Sequence, residues 1–119
     1  MKRRGLVSSF GFALEGIGYV LRTQRNFRIQ LILGVIALAL GVALRFSALE
    51  FAVLLVTTTA VLVAEMANTV VEVLVDLLTA EYHPLAKIAK DVAAGAVLLL
   101  AISAVLVGLL LFIPHLPRL

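Results

Sequence analysis

Glu65, Asn68, Glu72 and Asp76 are spaced by three, four and four residues in the run EMANTVVEVLVD (65–76). On a helix, at about 100° per residue, the last three fall within roughly 60° of Glu65, so the four share one stripe. The fourteen residues before them, 51–64, carry no charge. An ionisable group that follows such a segment inside a membrane helix is costly, and a functional role is its default reading. Three carboxylates on one stripe also repel one another. A divalent metal, or a cation from a neighbouring segment, is needed to offset them.

A second cluster follows in EYHPLAKIAKD (81–91). Glu65 falls about five residues, roughly 8 Å of helix, inside the nearer interface, with Glu72 and Asp76 at or beyond it. A hard cation such as Mg²⁺ takes carboxylate oxygens together with substrate phosphates. A carboxylate drawn out of water can act as a general base towards a hydroxyl. Lys90 offers a point charge for phosphate, and Asp91 beside it can orient that lysine or hold a metal-bound water. Metal, positive clamp and base are the parts of phosphoryl transfer. There is no Walker A motif, and Gly16–Gly18 lacks the third glycine of a dinucleotide loop, which excludes a conventional soluble nucleotide fold. Blander readings stand beside these. Asn68 fits as interhelical glue, Asp76 as a solvated helix end, and Glu81 and His83 as hydrated loop residues. Lys90 and Asp91 fit as interface charges. His115 is expected to be an uninvolved tail residue.

The elements that must hold these residues are membrane helices. The chain has 119 residues, of which 63% are hydrophobic and only 14% charged, with a mean hydropathy of +1.17. So little polar surface excludes a soluble globular domain. Without cysteine there is no disulfide framework and no thiolate metal site. Residues 5–22 are expected to form an interfacial amphipathic helix, with Leu6, Phe10, Leu14, Ile17 and Leu21 at helical spacing. Glu15 and the lack of an A-x-A site argue against a signal peptide. Spans are expected at 27–44, at 51–71 with helix continuing to 78, and at 92–113, in one domain over 1–119. Small-residue faces at Gly34, Ala37, Gly41 and at Ala93–Ala96 suit close helix contacts.

Lys2, Arg3, Arg4, Arg22, Arg25 and Arg28 precede the first span, and Lys87 and Lys90 lie in the expected 79–91 loop. Only Arg45 and Arg118 mark the other side. The positive-inside rule then places the N-terminus and the carboxylate end in the cytoplasm and the C-terminus outside. The net charge of +3 is thus a topology signal, and a nucleic-acid partner is not expected.

These residues resemble those of the small prokaryotic integral-membrane lipid kinases, the diacylglycerol kinase and undecaprenol kinase family. The E-x-x-N-x-x-x-E-x-x-x-D pattern matches at Glu65, Asn68, Glu72 and Asp76, and the loop pattern at Glu81, Tyr82, His83, Lys90 and Asp91. Gly11, Gly16 and RTQRNFRIQ (22–30) also fit, and the resemblance covers about residues 8–105. It implies an all-α fold: a homotrimer of three-span subunits, each with an amphipathic surface helix and sites built between subunits, in a bacterial inner membrane. It implies Glu65 as catalytic base, Glu72 as metal ligand and Asn68 as a substrate-orienting residue. Glu72, Asp76, Glu81, His83, Lys90 and Asp91 would meet ATP. Gln24 stands where the family often has a second metal-binding glutamate. The implied activity is Mg²⁺-dependent transfer of the ATP γ-phosphate to a membrane lipid alcohol. The stretch HPLAKIAKDVAAGAVLL looks more like the undecaprenol branch, with diacylglycerol the alternative. From the residues alone, a non-enzymatic membrane subunit or a proton-coupled carrier using Glu65 and Glu72 stays open.

Overall fold

The computed structural model describes residues 5–118, and those residues form helices and no strand. They run α1 (Leu6–Thr23), α2 (Arg25–Ala43), α3 (Ala48–Leu78), α4 (Pro84–Phe112) and a closing 3₁₀ helix (Ile113–Arg118). Among the described residues three helices, α2, α3 and α4, are long and apolar enough to cross a membrane, α4 together with the residues to Pro117.

Local chemistry sets each boundary. Gln24 alone separates α1 from α2, in an extended conformation with φ −112° and ψ 106°. Arg28 reaches back across this corner, donating from Nη1 to the carbonyls of Leu21 at 2.8 Å and Arg22 at 3.1 Å. It thereby satisfies unpaired carbonyls at the negative end of α1. At the end of α2 the Phe46 N–H bonds Gly41 O at 3.0 Å and the Arg45 N–H bonds Val42 O at 3.2 Å. This is a Schellman closure with Arg45 in the left-handed position at φ 60°. Ser47 and Glu50 then cap α3 reciprocally: Glu50 N–H to Ser47 Oγ at 3.1 Å and Ser47 N–H to Glu50 Oε1 at 2.9 Å.

The fourth helix starts earlier than expected. Pro84 occupies its first turn, and His83 Nδ1 accepts the Leu85 N–H at 3.1 Å. Proline's preset φ and this cap draw residues 84–91, expected as loop, into the first two turns of the helix. Lys87, Lys90 and Asp91 therefore project from a rigid element.

Close packing is confined to a few places. A Cβ at Gly41 would lie 2.9 Å from Phe46 Cδ2 and 3.0 Å from Phe51 Cε1, so only glycine fits there. A Cβ at Gly34 would meet Thr58 Cβ at 3.4 Å. The small face of α2, expected to suit a close helix contact, is used against α3 of the same chain. Gly95 in α4 remains open, with nothing within 4 Å among the described residues. The buried cluster Leu44, Phe46 and Leu54, with Phe51, Leu111 and Phe112 against it, lies at the end opposite the carboxylate stripe. Elsewhere large apolar side chains such as Val56, Leu99 and Leu110 are exposed, as suits surfaces covered by lipid or by other chains. At 31 residues, α3 is about 46 Å long, roughly 16 Å more than a bilayer core.

Candidate active site

The α3–α4 turn gathers most of the expected ligands. Thr79 shapes it: its hydroxyl accepts the Glu81 N–H at 3.2 Å and donates to Glu81 O at 3.1 Å. His83 is held by its capping bond to Leu85. A cleft of about 670 Å³ opens here, lined by Asp76 from α3, Glu81 and His83 from the turn, and Lys90 and Asp91 from α4. These five were singled out from the sequence, and the hairpin brings them together. Lys90 Nζ donates to Asp76 Oδ1 at 2.8 Å, bridging the two helices. Lys87 Nζ bonds Asp91 Oδ2 at 2.5 Å, one helical turn apart. Both pairs are exposed to solvent, so each adds little to stability and can give way to phosphate oxygens at small cost.

Glu72 lies one turn before Asp76, half-buried, and its Oε1 accepts Asn68 Nδ2–H at 3.2 Å. That bond orients the carboxylate and leaves Oε2 without a hydrogen bond among the described residues. Among those residues no three His, Asp or Glu side chains converge tightly enough to hold a metal. Glu72, and Asp76 once Lys90 has left it, match the one or two carboxylates by which Mg²⁺ is commonly held, with phosphates and water filling the rest of the shell.

Glu65 stands apart from the cleft. It is 5% exposed, and eleven residues place it about 16 Å along α3 from Asp76. Thr69, also buried, donates its hydroxyl to the Glu65 carbonyl at 2.9 Å, which occupies the hydroxyl within its own helix. The Glu65 carboxylate makes no hydrogen bond to another described residue. An apolar groove of about 460 Å³ runs between α1 and α3, lined by Gly16, Tyr19, Val20, Met66, Thr69 and Val70 among others; Glu65 does not line it, but the adjacent Met66 and, one turn on, Thr69 do. Gln24 does not line the cleft. It sits half-buried at the α1–α2 corner, and its side chain makes no capping bond.

The model of the prokaryotic diacylglycerol kinase family matches residues 11–112. The chain belongs to this family. The matched segment takes in Gln24 and the whole run from Glu65 to Asp91. A diacylglycerol kinase of Synechocystis sp. is 48% identical over 112 residues, covering 93% of this chain and 64% of that protein. The chain thus spans under two thirds of that relative's length. An undecaprenol kinase of Bacillus subtilis is 39% identical over 108 residues, covering 91% of this chain and 88% of that protein. A diacylglycerol kinase of Escherichia coli is 26% identical over 110 residues, covering 92% and 90%. The relatives are named as lipid kinases of both kinds.

Sequence reasoning assigned no role to three features of this family member's cleft. Tyr82 lines it and is 79% exposed; an aromatic ring inside a five-residue turn between an acid and a histidine was the available signal. Lys87 was read as a topology charge, yet it holds Asp91. Thr79 gave no signal, because its hydroxyl matters only through the turn it closes.

Proposed function

We propose that this chain is an ATP- and Mg²⁺-dependent lipid kinase of the bacterial cytoplasmic membrane, transferring the γ-phosphate to the hydroxyl of a lipid alcohol, with undecaprenol favoured. The observation that carries this reading is one helix, α3, with a buried carboxyl at Glu65, an apolar groove lined from Met66 on, and a charged cleft at its end. A lipid and a nucleotide could approach along the same stripe. In this reading the surplus length of α3 belongs at the carboxylate end, and the positive-inside count supports a cytoplasmic cleft.

In this reading α1 lies at the interface and forms one wall of the lipid groove. Glu65 accepts the proton of the lipid hydroxyl as it attacks. Lys90 leaves Asp76 for the nucleotide phosphates, and Lys87 holds Asp91 in place. Glu81, His83 and the Tyr82 ring meet the rest of the nucleotide. Asn68 keeps Glu72 oriented. Glu72, with Asp76, would hold Mg²⁺, which when bound neutralises the charge on the phosphates. A homotrimer would bring the Glu65 of one chain to the cleft of another.

The test offers purified protein Mg-ATP with undecaprenol, diacylglycerol and a short-chain alcohol. We expect lipid phosphate with all dependence on Mg²⁺ and ATP, and the highest turnover with undecaprenol. No lipid phosphate from any alcohol at saturating Mg-ATP would sink the kinase reading and favour the carrier or accessory subunit. The diacylglycerol reading keeps specific support, because the Synechocystis relative is more similar in sequence than the undecaprenol kinase.

Gln24 gives a second prediction. Its side chain caps nothing, and a carboxylate at the N-terminus of α2 suits the helix dipole. Gln24→Glu is therefore expected to fold normally and to shift the Mg²⁺ activation curve to lower concentration, by adding an anionic ligand. An unchanged curve would place Gln24 outside the metal's coordination.

A further inference from the structure

The two helices of the α3–α4 hairpin are fastened along their length and at both ends. A half-buried stripe at helical spacing, Ala93, Val97, Leu100, Ala104 and Leu111, holds α4 in place. At the end away from the cleft, His115, expected to be a bystander in the tail, is buried, and its Nε2 lies 2.6 Å from Glu50 Oε2. At the cleft, Lys90 bridges to Asp76.

The five residues between these helices, 79–83, are held differently. Thr79 follows the last residue of α3 in an extended conformation, φ −154° and ψ 134°, and its N–H bonds Val75 O at 3.0 Å. At the other side His83 is fixed by the bond it accepts from the Leu85 N–H. Between them Glu81 and Tyr82 are exposed, so packing does not place them. Among the described residues the Thr79 hydroxyl is the one hydrogen-bond partner of Glu81: it accepts the N–H at 3.2 Å and donates to the carbonyl at 3.1 Å. Both bonds come from a single oxygen on a half-buried side chain. The branched Cβ of threonine leaves that oxygen few rotamers, and hydroxyl-to-backbone bonds of this kind shape short turns. Each neutral bond is modest, so losing both would loosen the turn without opening the hairpin.

We propose that Thr79 is a positioning residue for nucleotide binding: its hydroxyl presets the main chain at Glu81 and so holds Glu81 and Tyr82 at the rim of the cleft before the nucleotide arrives. The link to the nucleotide rests on the proposed role of the cleft; the link to the turn does not. A turn that is already ordered spares part of the ordering cost of binding. Glu65, which meets the lipid hydroxyl in the proposed function, lies about 16 Å from Asp76 along α3, so the lipid side of the reaction is left as it is.

Thr79→Val keeps the shape of the side chain and suits the extended backbone, but removes both bonds. It is expected to raise KM for Mg-ATP by roughly fivefold to thirtyfold, the equivalent of two modest hydrogen bonds, with kcat and the KM for lipid alcohol near their parent values. Thr79→Ser, which keeps the hydroxyl, is expected to stay close to the parent. A second readout is independent of activity. The chain has no cysteine, so one spin label at Ala80→Cys, an exposed position, reports the mobility of the turn, with labelled chains diluted into unlabelled ones. Mobility should rise in Thr79→Val and stay parent-like in Thr79→Ser. An unchanged label spectrum or an unchanged KM for Mg-ATP in folded Thr79→Val, a loss confined to kcat, or a serine variant no better than the valine one would overturn the proposal. A parent that binds Mg-ATP but phosphorylates no lipid would remove the proposed function instead, and the Kd for Mg-ATP would then take the place of KM in deciding the role of Thr79.

Discussion

Glu65→Gln is expected to lower turnover by about 10²–10⁴-fold, the usual loss when a general base is removed, while the helices stay folded. The substitution keeps the size of the side chain and replaces a buried carboxyl with an amide, which is easier to bury. The Glu65 carboxylate makes no hydrogen bond to another described residue, so no partner is stranded by the change. The Thr69 hydroxyl bonds the Glu65 carbonyl, which the substitution leaves in place. Thermal stability in detergent should therefore hold or rise while lipid phosphorylation falls. ATP affinity should change little, because the cleft is about 16 Å away along the helix. A variant with near-normal kcat would make Glu65 a packing residue and leave the reaction without a base on α3.

Lys90→Ala is expected to lower kcat/KM by about 10²–10³-fold, the scale seen when one preorganised donor to developing charge is lost. Most of the loss should appear with the nucleotide as varied substrate. The side chain is exposed and its pairing with Asp76 is weak, so folding should survive. The sharper measurement mixes inactive chains. Within one chain Lys90 sits over Asp76, about three turns beyond Glu65, which is far for a base and a phosphate clamp acting on one γ-phosphate. If neighbouring chains share a site, mixtures of Glu65→Gln and Lys90→Ala chains should regain part of the activity, since some sites then combine the intact Glu65 of one chain with the intact Lys90 of another. No recovery, with mixing verified by cross-linking, would mean that the two residues act within one subunit. A monomer in mild detergent with full turnover would remove the oligomer from the proposal altogether.

The residues that could do chemistry were legible because the bilayer makes charge rare. In a chain that is 63% hydrophobic, each carboxylate on an apolar helix stands out, and helical spacing alone puts Glu65, Asn68, Glu72 and Asp76 on one stripe. The number of long apolar helices was legible for the same reason. The start of α4 was not. Hydropathy sees no helix in PLAKIAKD, whereas a proline at the first position and the His83 cap act on the backbone regardless of polarity. The Asp76–Lys90 bridge and the shared cleft follow only once that hairpin is closed. The close helix contact at Gly34 and Gly41 was legible, but its partner was not, since a small-residue stripe admits any close helix, and only the Schellman turn at Arg45 decides that the nearest one is α3 of the same chain. Glu50 and His115 lie 65 residues apart, beyond the reach of any spacing rule, and their contact exists because two helices of matching length return the chain to where α3 began. Sequence by itself determined which side chains put charge on a long apolar helix and on which face of it they lie. Tertiary structure alone decided which of them meet, because contacts between helices depend on caps, turns and crossing geometry that composition and periodicity do not encode.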